Sequence, residues 1–236
     1  MTAHPRPTPG QPAVSPARPA RPADDRNMAG RAFDTIGKSR HEAFPDRPGQ
    51  VAAGAWLASQ VRGERAVLDV GCGCGLPTAA QLASAGCAVV GVDPSAAMLE
   101  LARKNVPSGI FVERDLRDLT GLHPVQGRFD GVTAFFSLAL LARSDIGTVL
   151  DRIRGVLTPE GLFAIGMVQG DPGHLAGDVE GASAWLTAYS PQELRHLLQH
   201  HGFTVAEFCS RRGESSAAGL GPQVHLYACC RVTPAM

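Results

Sequence analysis

The 236-residue chain has no excess of charge of either sign: Lys+Arg and Asp+Glu are 22 each, and charged residues make up only 19% of the chain. That balance argues against a polyanionic partner, so neither nucleic acid nor an anionic membrane surface is expected. No apolar run approaches the roughly 20 residues of a spanning helix. The N-terminus also lacks the apolar core of a signal peptide, so a cytoplasmic protein is expected. Six cysteines are present (Cys72, Cys74, Cys87, Cys209, Cys229 and Cys230), but none has zinc-ribbon spacing. They read as buried free thiols, and no metal site is expected.

What is present begins with AVLDVGCGCGLPT, Ala66 to Thr78. An apolar run, Ala66 to Val70, predicts a buried strand. Gly71, Gly73 and Gly75 then permit positive backbone dihedrals and leave main chain open to a ligand. Pro77 opens the following helix. Strand, glycine turn and helix make a nucleotide-type site at the C-terminal edge of an α/β sheet.

Residues 1–27 are rich in Pro, Ala and Arg, without helical or strand period, and are expected to be disordered. Met28 heads more ordinary sequence and is a candidate native start; the alternative is a solvated tail. Residues 28–62 predict an N-terminal helical lid in two pieces broken at Pro45 to Pro48. Its second helix carries an apolar face of Val51, Ala55, Leu57, Ala58 and Val61. Within 63–236, strands are expected at Cys87 to Asp93, Ile110 to Val112, Phe129 to Phe136 and Leu162 to Val168, the last entered through a turn at Pro159-Glu160-Gly161. Their continuous apolar character suits a parallel sheet covered on both faces. Helices follow the candidate caps Ser95 and Ser144, the latter with a stripe of Ile146, Val149, Leu150, Ile153, Val156 and Leu157. Gln169 to Ala184 reads as an irregular flap. Ser190-Pro191-Gln192-Glu193 is a capping box, and Phe203 to Cys209 and Val224 to Val232 are two final strands that could pair as a hairpin. Alternation of strand and helix predicts a doubly wound α/β sheet.

Two absences narrow the ligand. A dinucleotide fingerprint would place a third glycine at position 76, where Leu76 stands, and no lysine-bearing phosphate cradle accompanies the loop. Asp93, ending the second strand, can accept hydrogen bonds from ribose hydroxyls, and Asp115 after the third strand can accept from an adenine amino group. An adenosine compound without a triphosphate satisfies these features.

VLDVGCGCG (67–75), VVGVDPSAAMLELAR (89–103), ERDLRDL (113–119), FDGVTAFFSL (129–138) and the HGF turn (201–203) together resemble the class I S-adenosylmethionine-dependent methyltransferases, over roughly residues 60–232. The resemblance implies a Rossmann-like seven-stranded sheet of order 3-2-1-4-5-7-6 with the last strand antiparallel and helices on both faces. It implies S-adenosylmethionine as cofactor, S-adenosylhomocysteine as product, and glycine-loop contact with the methionine part. Asp93 would meet the ribose, Met98 would lie beside the adenine, and Asp115 and Leu116 would lie at its edge. Cys72, Pro94 and Phe135 complete the expected donor contacts, and Asp69 would order the loop. FDTIGKSRHEAF (33–44) is similar to the tyrosine-bearing start of many small-molecule members, but Phe33 and Arg40 stand there, so no tyrosine contact carries over.

Methyl transfer needs alignment more than a catalytic side chain, and a base only where the acceptor loses a proton. His174 in the flap and His41 in the lid are the candidate bases. His225 and the helix histidines read as packing or surface residues. Trp185, Tyr189, Phe135 and Phe136 could line an aromatic pocket; Arg40 and Arg47 could meet an acidic substrate. The fourth strand ends in Phe135-Phe136-Ser137-Leu138, unlike the Asn-Pro-Pro-Tyr type of many nucleic-acid methyltransferases. The expected partner is therefore a small-molecule acceptor in secondary metabolism, with the protein a monomer or homodimer. The alternatives are a donor-binding protein with a non-methylating role, such as cyclisation or rearrangement, and an NAD(P) oxidoreductase.

Overall fold

A computed structural model describes residues 48–122, 127–170, 173–179, 182–213 and 223–234. The tail at 1–27, the first lid helix, His41, Arg40 and Arg47 lie outside the described residues. The elements are α1 (Pro48–Gln60), β1 (Ala66–Val70), α2 (Thr78–Ser84), β2 (Ala88–Asp93), α3 (Ala96–Asn105), β3 (Ile110–Glu113), β4 (Phe129–Phe135), α4 (Arg143–Val156), β5 (Leu157–Gln169), β6 (Gly173–Val179), β7 (Ala182–Tyr189), α5 (Pro191–His200), β8 (Phe203–Arg212) and β9 (Val224–Val232). A 3₁₀ turn, Leu138–Leu140, links β4 to α4.

β3, β2, β1, β4 and β5 pair in parallel in that order. Every residue of β1 is buried, and β4 and β5 are buried through most of their lengths, as unbroken apolar runs require when helices cover both faces. β9 runs antiparallel to β5, and β8 antiparallel to β9. The sheet therefore has nine strands, not seven. The two additional strands occupy the segment expected to be an irregular flap: β6 and β7 form an antiparallel hairpin, with His174 opposite Thr187. Since β9 lies along one edge of β5, β7 joins β5 on the other edge, pairing Ala188 with Val168 just beyond the point where β4 ends opposite Gly166. Hairpin formation satisfies the main-chain groups that a loop in this position would leave to solvent.

Three further expectations change. Pro159-Glu160-Gly161 lies within β5, where the pairing shifts from Phe129 with Leu157 to Gly131 with Leu162, so the three residues bulge out of the ladder without ending the strand. Helix α4 is entered through Ala142, not capped by Ser144, whose hydroxyl points at Asp145 on the surface. On α1 Leu57, Ala58 and the following Val61 are buried as expected, but the rest of the buried face is Gly49, Gln50, Ala53 and Gly54, whereas Val51 and Ala55 are exposed. Small residues win there because the helix comes in close: a Cβ on Gly49 would stand 2.2 Å from the Tyr227 ring, and one on Gly54 2.7 Å from the Gln81 side chain. Buried Gln50 is satisfied by donating to the Thr78 hydroxyl at the start of α2.

Helix α5 starts as its sequence predicts. Glu193 N–H donates to the Ser190 hydroxyl, Ser190 N–H donates to the Glu193 carboxylate, and Leu194 and Leu198 face the core. Arg143 clasps this start, donating to Glu193 and to the Ala188 carbonyl while lying 4.1 Å over the Tyr189 ring. Tyr189 is thereby committed to packing. Replacing Ser190 with Ala is expected to destabilise the protein by about 1 kcal/mol, read as a lowered urea midpoint at unchanged slope.

Candidate active site

β1, β2, β3 and β4 end at Val70, Asp93, Glu113 and Phe135, along one edge of the sheet. The glycine loop turns over that edge. Gly71, Gly73 and Gly75 have φ of 74°, 52° and 81°, the left-handed region in which a side chain is strained. Gly71 N–H and Cys72 N–H donate to the Val92 carbonyl at 2.8 and 3.0 Å, and Gly73 N–H donates to Asp93 Oδ2 at 2.9 Å. Asp93 Oδ1 accepts from Ser95 N–H at 3.0 Å, while the Ser95 hydroxyl caps α3 by accepting from Met98 N–H. One buried carboxylate thus ties the glycine loop to the entrance of α3.

Three residues that sequence reasoning passed over complete the frame. Ser137 donates to the Val70 carbonyl at 2.6 Å, and it lies so near Gly71 that a Cβ there would stand 2.1 Å from its own. Thr133 donates to Asp69 Oδ1 at 2.8 Å. Asn105 donates to the Cys74 carbonyl from the end of α3. A polar residue inside the apolar run FDGVTAFF was the available signal for Thr133. Ser137 and Asn105 carried none, because their partners are remote in sequence.

Of the expected donor residues, Asp69, Gly71, Cys72, Gly73, Gly75 and Asp93 are gathered at this edge. Met98 and Leu116 are buried beside it, and Pro94 is half-buried between Asp93 and Ser95. Cys72 packs against the loop, where burial and the neighbouring Asp69 and Asp93 push its thiol well above the usual range. Asp115 is occupied: the Arg117 guanidinium binds both its oxygens, at 2.8 and 2.5 Å, and holds its carboxyl below the usual carboxylate range. His174 lies on β6, the outer strand of the hairpin. Among the described residues no group of three or more His, Cys, Asp or Glu side chains could hold a metal ion.

The aromatic residues converge differently from expectation. Phe136 has φ 61°, costing about 1–2 kcal/mol for a residue with a side chain. Its ring lies 4.7 Å from the His225 ring and 5.8 Å from that of Tyr227, edge to face. Phe135 lies 6.4 Å from Tyr227.

A parallel α/β core, a glycine loop between β1 and α2 and an acid at the tip of β2 define the class I S-adenosylmethionine-dependent methyltransferase fold, and this chain has it. Comparison with known proteins agrees. Residues 67–161 match the family model described as a methyltransferase domain. The chain is 33% identical over 135 residues to a trans-aconitate 2-methyltransferase of Rhizobium leguminosarum, covering 56% of this chain and 50% of that protein. It is 37% identical over 93 residues to a magnesium-protoporphyrin O-methyltransferase of Rhodobacter capsulatus, covering 37% and 38% of the two chains. The chain thus spans about half the length, or less, of these two relatives. Among solved structures, a Burkholderia thailandensis 1,6-didemethyltoxoflavin-N1-methyltransferase with bound 1,6-didemethyltoxoflavin and S-adenosylhomocysteine superposes with a TM-score of 0.70. It has 25% identity, over 92% of each chain.

Two observations show that the loop has room and polarity for a ligand. Among the described residues a Cβ at Gly73 would meet nothing within 4 Å, so the loop's middle is clear of them. Asp69 Oδ2 is buried without a hydrogen-bond partner among the described residues. Burial, aided by the nearby Asp93 charge and opposed by the Thr133 hydrogen bond, pushes the Asp69 carboxyl up to about 7 from 3.8. A carboxyl whose proton is held more tightly in the folded chain stabilises it fully below pH 3.8 and loses that contribution as pH rises through about 7. Asp69→Asn is therefore expected to gain on the ligand-free wild type by on the order of 2 kcal/mol between pH 5 and pH 8, measured by urea denaturation of both proteins.

Proposed function

We propose that this protein transfers a methyl group from S-adenosylmethionine to a small-molecule acceptor, releasing S-adenosylhomocysteine. The carrying observation is the glycine loop clamped by Asp93 beside the unpartnered Asp69 oxygen: main chain, an open face and an uncompensated acid at one sheet edge. Bound there, the donor supplies a sulfonium methyl that is already electrophilic. The work left to the chain is alignment and the exclusion of water.

Asp69 is the residue that would hold a cationic group of the donor, because a positive charge placed beside its buried oxygen would offset the cost that burial imposes on the carboxylate. Asp93, at the tip of β2, would meet the ribose while keeping Gly73 in place. Met98 and Leu116 supply buried apolar surface for the adenine, and the side chain of Asp115 reaches that edge already paired with Arg117. Phe135, ending β4, would face the donor from the acceptor side. A role in secondary metabolism within the cytoplasm suits the small-molecule reading, and likeness over nearly the whole chain to the Burkholderia thailandensis methyltransferase that binds 1,6-didemethyltoxoflavin supports a small-molecule acceptor.

Asp93→Ala is expected to weaken S-adenosylhomocysteine binding by about 1–3 kcal/mol, since both the ribose and the Gly73 N–H lose a buried partner. Titration calorimetry on the two proteins checks this; unchanged affinity would remove Asp93 from the site. Incubation with labelled donor and a metabolite extract tests the reaction. Donor binding with no labelled product across a broad acceptor panel would favour a non-methylating role.

A further inference from the structure

Taking methyl transfer as the activity, we propose that Phe136, Tyr227 and His225 form the acceptor subsite. We infer that it takes a planar aromatic or heteroaromatic molecule whose ring N–H or O–H meets His225. Successive residues of a strand point to opposite faces. Phe135 and Phe136 escape that rule: a Cβ built on Gly166 would stand 3.0 Å from the Phe135 ring and 3.4 Å from the Phe136 ring. The left-handed conformation of Phe136 turns its ring back over Gly166, and its N–H is fixed by donation to the Gly166 carbonyl at 2.8 Å.

Gly166 pairs with Phe135 on one side and Tyr227 on the other, so the missing side chain lies in the middle of an aromatic row. His225, two residues before Tyr227, lies on the same face and one step nearer the sheet edge, opposite Val168. It is half-buried, whereas the three aromatic rings are buried. Phe136 meets both His225 and Tyr227 edge to face, an arrangement aromatic rings prefer.

Position relative to the donor is set by the next residue. Ser137 packs directly on Gly71, so the cluster begins one residue from the glycine loop. The N-terminal end of α1 closes over Tyr227 at Gly49. In the reaction, the lone pair of the acceptor nitrogen or oxygen forms the new bond to the methyl carbon as the carbon–sulfur bond breaks, leaving a neutral thioether. The acceptor's proton passes to His225, and from there to water. An imidazole suits that transfer near neutral pH.

The test uses catechol, quercetin and lumazine as aromatic probes and trans-aconitate as the aliphatic contrast. Each is measured for binding in the presence of S-adenosylhomocysteine and for methylated product with S-adenosylmethionine. At least one aromatic probe is expected to bind and be methylated. Phe136→Leu should weaken that probe about tenfold, with S-adenosylhomocysteine affinity unchanged. His225→Gln should lower kcat about 100-fold or more with little change in KM. Phe136→Gly, which tolerates the left-handed backbone, replaces the leucine variant if calorimetry shows that it no longer folds. Methylation of trans-aconitate with no aromatic probe bound, or probe binding indifferent to both Phe136 variants, overturns the subsite and leaves methyl transfer standing. Failure of the wild type to bind S-adenosylhomocysteine removes the donor reading and this proposal with it.

Discussion

The site depends on one buried carboxylate. Asp93 ends β2 and accepts from the main chain on two sides, at Gly73 in the glycine loop and at Ser95 before α3. Both partners are backbone N–H groups at ends of structure that would otherwise be left unsatisfied in a buried place. The loop's path is consequently held by an acid that a ribose can also use. Removing that acid therefore acts on the framework itself.

Around that tie the sheet edge is crowded by design of its smallest residues. Gly71 cannot carry a side chain because Ser137 stands where its Cβ would go, and Gly166 lies beneath the two phenylalanine rings. Gly73 differs, for among the described residues nothing stands within 4 Å of where its Cβ would go. The same motif therefore contains one glycine enforced by packing and one whose side-chain position is open. Asp69 adds the electrostatic half, an acid kept in a setting that disfavours its charge.

Much of this was legible in the chain itself. Continuous apolar runs announced β1, β2 and β4, and the capping box at Ser190 announced α5, because each signal is local and is read within a few residues. The hairpin β6–β7 was not announced. Its residues are glycine-rich and its pairing to β5 uses an edge made available only where β4 stops. The first turns of α1 differ from expectation at Val51 and Ala55 for a related reason: the helix start neighbours the flat ring of Tyr227, which rewards glycine over the larger apolar residues that periodicity favours.

Sequence by itself determined the alternation of strand and helix, the glycine loop and the acid at the tip of β2, since these follow from short-range periodicity and from dihedral freedom. Tertiary structure alone decided that Thr133 supports Asp69, that Ser137 seats Gly71, and that Phe136 turns toward His225 and Tyr227. Those pairs are brought together by strand register and by one left-handed residue, and neither is encoded in any window of neighbouring amino acids.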